Sequence, residues 1–108
     1  MASLNELRRT KNELIVQRRN TSIAQQVEKL APSNAGAELP LQFICECSDL
    51  TCTERITMEI QEYLAATRLP ARFIVRPSHQ QPDIETTLNA AKDYVVVEKR
   101  KDLIQQFK

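Results

Sequence analysis

The stretch FICECSDLTCTE, residues 43–54, holds Cys45, Cys47 and Cys52, all the cysteines the chain has, and its one histidine, His79, follows later. In a chain of 108 residues this crowding constrains the architecture more than any other feature. A domain of that size buries a modest core and gains much from a crosslink. An odd number of thiols cannot all pair within one chain, and a bridge between Cys45 and Cys47 would close a small, strained ring. Metal ligation uses them better. Residues separated by one other in extended backbone project to the same side, so Cys45 and Cys47 face together, and the turn-forming SDLT can return Cys52 toward them. Three thiolates and an imidazole form a closed tetrahedral set for zinc, with His79 as the fourth ligand. The spacing C-x-C-x4-C with a distant His is less specific than a double CxxC. An iron–sulfur centre and unliganded or redox-active thiols answer to it as well, and Asp49 or Glu54 can stand in for His79.

The rest of the chain reads as α+β: a long N-terminal helix followed by a small zinc-stabilised sheet with two short helices. Ser3 and Glu6 have the spacing of a capping box, and no Gly or Pro occurs before Pro32. Residues 1–31 are therefore an amphipathic helix. Its apolar positions Leu4, Leu7, Leu14, Val16, Ile23, Val27 and Leu30 fall near three- and four-residue spacing, interrupted by Lys11, Arg18 and Asn20. Two uses compete for this face: packing on the chain's own domain, or docking to another chain through Leu7, Leu14, Ile23, Val27 and Leu30. Residues 32–40, with the only Gly and two prolines, are the expected linker, and 41–108 the Cys3His domain.

Within that domain LQFICEC reads as a strand and ERIT as a short strand leading into a helix capped at Thr57 and ending near Arg68. ARFIVRP alternates, with Phe73 and Val75 opposite Arg72, Ile74 and Arg76, as a half-buried strand beside residues 41–45 in one sheet. Pro82, Asp83 and Glu85 suit the first turn of a helix running to about Ala91, DYVVVEKR is a strand, and the tail KDLIQQFK is compatible with one more helical turn.

A resemblance covers nearly the whole chain. Asn12, Glu13, Asn20 and Ile23 near the start match its pattern, as do Phe43, Cys45, Glu46, Cys47 and Cys52, then Glu62 and Tyr63. Arg68, Pro70, Arg72, Phe73, Val75, Pro77 and His79 continue it, and Tyr94, Val96, Val97, Glu98 and Lys99 close it. In these residues the chain resembles a group of small, functionally uncharacterised bacterial proteins with the pattern FxCECxxxxC, EY, RxPxRFxVxPxH and YxVVEK. The resemblance implies that Cys45, Cys47, Cys52 and His79 form one motif, and it brings no activity with it. The group usually carries Gly before the His, where this chain has Ser78.

Function classes narrow next. Fifteen Lys and Arg against fourteen Asp and Glu give a net charge of +1, so a nucleic-acid surface has to be local. The candidates are Arg68, Arg72 and Arg76, with Arg8, Arg9, Lys11, Arg18 and Arg19 on the first helix. The N-terminus lacks a basic segment followed by an apolar run, and no apolar stretch reaches membrane-spanning length, which reads as cytoplasmic. No phosphate-binding Gly loop and no GxSxG elbow occur. A Cys–His nucleophilic pair, with Cys47 or Cys52 and His79, is the one catalytic reading, but three clustered thiols favour shared coordination. The sequence thus points to a non-catalytic zinc module that binds a partner protein or regulates, with homo-oligomerisation open and nucleic-acid binding as the rival.

Overall fold

The computed structural model describes residues 2–30 and 40–107. The expected linker falls outside the described residues except for Pro40, which begins a strand. Helix α1 spans Leu4–Leu30, and it starts as the capping box requires. The Ser3 backbone N donates to Glu6 Oε1 at 3.0 Å and the Glu6 N to Ser3 Oγ at 3.1 Å.

Strands β1 (Pro40–Ile44) and β2 (Arg55–Glu59) form a two-stranded antiparallel sheet whose connecting loop carries the three cysteines. Helix α2 (Ile60–Ala66) follows without a gap. Its N-cap is Glu59 and not Thr57, because Thr57 is engaged in the ladder opposite Gln42. A second antiparallel sheet takes the order β3–β5–β4, built from Arg72–Val75, Val95–Lys99 and Glu85–Ala90. Helix α3 (Lys101–Gln105) ends the fold. The architecture is α+β as expected, with two small sheets where one was foreseen.

The segment expected to be a helix from Pro82 to Ala91 is instead a single tight turn followed by β4. Ile84 N and Glu85 N both donate to Gln81 O, and the chain then pairs with β5 through a register shift between Thr87 and Asn89. The acids that read as helix-start residues have other partners: Asp83 meets Arg9 and Glu85 meets Lys99. β-Branched Thr86 and Thr87 also fit a pleated edge better than a helix.

Strand β3 is covered on both faces, so the half-buried reading is corrected. Ile74 and its cross-strand partner Val96 pack with Phe43, Ile56, Met58, Ile60, Tyr63 and Ala24. Phe73, Val75, Val95 and Val97 turn the other way, to Cys45, Cys47 and Ile104. Phe43 and Tyr63 stack at 4.3 Å between ring centroids, in the middle of the first cluster.

Helix α1 joins the two clusters, Leu14 touching the second and Val27 the first. Much of its buried stripe is nevertheless polar. Thr10, Glu13 and Asn20 are buried beside Val16 and Ala24, while Lys11 and Arg18 lie on the exposed side. Glu13 and Glu85 both bind Lys99 Nζ, at 2.6 and 2.7 Å, and all three side chains are at most 2 % exposed. Among the described residues no helix is long and apolar enough to cross a membrane.

Candidate metal centre

Strand β1 ends at Ile44, and the next four residues carry the chemistry. Glu46 N donates to Ile74 O at 2.8 Å, so this segment lies alongside β3 although β1 and β3 belong to separate sheets. That single bond replaces the one-sheet neighbourhood foreseen for residues 41–45 and 72–76. Cys45 N donates to Glu54 O and Cys52 N to Asp49 O, which folds the SDLT loop back on itself. Asp49 Oδ1 tightens the turn by accepting from Thr51 N and Oγ1.

His79 arrives from β3 through Arg76–Pro77–Ser78–His79, closed by His79 N donating to Arg76 O at 3.0 Å. Pro at the second position and Ser78 at φ 77° are the features of a type II turn. Among the described residues Ser78 is the one non-glycine with positive φ, a conformation that glycine adopts at no steric cost.

The four ligand atoms of Cys45, Cys47, Cys52 and His79 all lie within 4.8 Å of one another, and they can hold a metal ion. Neither Asp49 nor Glu54 belongs to this group. His79 Nδ1 is 3.4 Å from Cys45 Sγ and 3.7 Å from Cys52 Sγ. A tetrahedral ion with arms of about 2.0–2.3 Å has a nitrogen–sulfur edge of roughly 3.6 Å, which the two nitrogen–sulfur distances bracket. No disulfide links the thiols. Arg76 N donates to Cys45 Sγ at 3.2 Å, a backbone contact of the kind that fixes a ligating sulfur.

Cys45 and Cys47 are buried, whereas Cys52 and His79 are half-buried and face a cleft of about 300 Å3 shared with Asp49, Ser78, Gln80 and Gln81. The neighbouring Cys47 thiol raises the Cys45 pKa far above the ordinary range, with burial adding to it. Cys45 in turn draws Cys47 down to about 5. One of these two thiols thus ionises at the other's expense. A divalent cation removes that conflict, since it deprotonates coordinating thiols outright.

Glu46 points away from the thiols, as alternation in extended backbone requires. Its carboxylate is fully buried and takes four hydrogen bonds: Oε1 from Gln17 Nε2 (3.2 Å) and Ile74 N (3.0 Å), Oε2 from Asn20 Nδ2 (2.9 Å) and Tyr63 OH (2.6 Å). Burial raises it to about 7 against the pull of those donors. Helix α1 also grips the loop through Asn12 Nδ2, which donates to Ser48 O at 2.9 Å, and the start of β3 through Gln17 Nε2, which donates to Arg72 O at 2.7 Å. The segment Ile44–Ser48 therefore has two sides, thiols toward the metal position and polar groups toward α1.

Apolar periodicity overlooks Asn12, Gln17 and Asn20, yet the spacing of Arg9, Glu13, Gln17 and Asn20 at three to four residues was the signal for this docking face. Of the positions foreseen as a partner face, Leu7, Leu14, Ile23 and Val27 are half-buried, with Leu14 and Val27 against the chain's own cores. The Leu30 side chain lies outside the described residues. Of the three arginines, Arg76 Nη1 donates to Asp93 O at 3.0 Å, while Arg68 and Arg72 line a groove beside α2.

The fold and site define a small α+β module with a Cys3His cluster that can hold a metal ion. Comparison with family models, with curated proteins and with solved structures gives no match.

Proposed function

We propose that Cys45, Cys47, Cys52 and His79 bind one zinc ion as a closed structural site, in a non-catalytic module that acts by protein interaction or regulation. The observation that carries this reading is the four-atom cluster with its 3.4 and 3.7 Å edges. Soft thiolates beside an imidazole favour zinc among common divalent ions, and a multi-iron cluster needs its ligands spread around several metal atoms. A four-ligand zinc leaves no position for a reactive water. Glu46, the acid next to two ligands, is turned away and committed to four donors. A structural ion here pins the loop that α1 grips, so it shapes the surface the module offers to a partner.

The test is to strip the full chain with a chelator under reducing conditions and follow its melting and amide exchange. Metal binding energy is folding energy in such sites, so Tm should fall by about 10 °C or more, or the cooperative transition should vanish. Exchange should rise in residues 43–48 and in α1 between Asn12 and Asn20. Cys47→Ser should weaken retention more than His79→Ala, since water replaces an imidazole more readily than a thiolate. Unchanged melting after complete chelation would overturn the reading.

A further inference from the structure

We propose that the groove between α1, α2 and the start of β3 binds a small phosphomonoester with an apolar or flat body, of about mononucleotide size. The open groove has a volume of ≈ 710 Å3, with Thr21 contributed by α1, Gln61 and Leu64 by α2, and Arg68, Leu69 and Arg72 by the chain beyond it. That volume lies within the range of small-molecule sites, roughly 300–1,000 Å3. A second groove, lined by Arg18 among others, shares Thr21 with it.

Charge sets this surface apart. Among the described residues no Asp or Glu lines either groove, although the chain carries fourteen acids against fifteen bases. Arg68 and Arg18 have no hydrogen-bonded or ion-paired partner among the described residues, and Arg72 meets Glu98 only through Nε, at 3.4 Å. The terminal nitrogens of these guanidinium groups remain available. A guanidinium fork matches the oxygens of a phosphate, and Arg68 can supply one here, with Arg72 sharing its charge with Glu98.

The opposite character of the wall selects the rest of the ligand. Leu64 and the exposed Leu69 offer apolar surface within the same groove, and Gln61 adds an amide that can donate and accept. Inorganic phosphate would leave that surface wet. A ligand with a phosphate at one end and an apolar or aromatic body at the other covers both. Arg76, held by the Asp93 carbonyl, takes no part. The reading does not depend on the metal.

The full chain with its metal, labelled with 15N, is titrated with AMP, and in parallel with adenosine and with inorganic phosphate. AMP should give saturable amide shifts confined to Thr21 and residues 61–72. Arg68→Glu and Arg72→Gln should each weaken binding about tenfold or more, as loss of a hydrogen bond to a charged group does. Lys92→Glu, exposed in the turn before β5, should leave it unchanged. Absence of saturable shifts at millimolar AMP would overturn the proposal, as would shifts that survive Arg68→Glu. Adenosine binding as tightly as AMP would remove the phosphate from it, and inorganic phosphate binding as tightly would remove the body; either result contradicts it.

Discussion

The Asn20 side chain pairs with the backbone of Ile44 in both directions: Nδ2 donates to Ile44 O at 2.7 Å and Oδ1 accepts from Ile44 N at 2.8 Å. A side-chain amide thus acts as a strand partner for the last residue of β1, and its remaining N–H reaches Glu46 Oε2. The residue before the first cysteine is thereby fixed from the helix side.

Asn20→Ala should therefore destabilise the protein by about 2–4 kcal/mol, because it leaves a half-buried N–H and C=O unpaired and takes a donor from a buried carboxylate. Denaturant unfolding of the metal-loaded protein measures it. A loss below about 0.5 kcal/mol, the usual scale for an uncommitted surface position, would show that the amide is not a clamp.

Ser78 adopts φ 77° on the turn that delivers His79. A left-handed residue with a Cβ costs roughly 1–2 kcal/mol, partly offset in glycine by its freer unfolded chain. Ser78→Gly is expected to raise stability by about 0.5–1 kcal/mol with the metal content unchanged, and Ser78→Val to lower both. Thermal melts of the two variants beside the parent decide it, and a destabilised glycine variant would contradict the assigned strain.

Glu13, Glu85 and Lys99 set two carboxyls against one ammonium in a dry site. Burial raises Glu13 to about 8, outweighing the attraction of Lys99 and reinforced by the charge of Glu85. The folded protein then holds a proton that the unfolded chain, with an ordinary carboxyl, has already released. The stabilisation from that proton is complete below the ordinary carboxyl pKa and is lost as pH rises toward about 8. Glu13→Gln keeps the shape without the titration, so its Tm relative to the parent should climb between pH 6 and pH 9. A parallel pair of Tm curves would place the charge elsewhere.

How much of this was legible depends on which force decides each element. The Ser3–Glu6 capping box and the valines of β5 are local signals, and they stand in the structure where the sequence puts them. The thiol cluster was also readable, since Cys45 and Cys47 follow from alternation and Cys52 from a turn. Position 82–91 was not, because Asp83 and Glu85 signal a helix start locally while their distant partners Arg9 and Lys99 decide the outcome. The docking face of α1 was hidden for a related reason. Its anchors Glu13, Gln17 and Asn20 are polar, and a search for leucines and valines treats Asn20 as an interruption of the stripe that it belongs to. The division into two sheets was not readable either, because beside β3 the Ile74 N and Arg76 N bond to the Glu46 and Cys45 side chains and not to a strand backbone, which residue type does not encode.

The most direct measurement is zinc-edge X-ray absorption on the protein as purified, with its metal quantified in the same sample. The account predicts one zinc per chain, surrounded by three sulfurs at about 2.3 Å and one nitrogen at about 2.0–2.1 Å. A sample without stoichiometric zinc, one holding iron and sulfide, or a zinc shell of oxygen and nitrogen alone would contradict it.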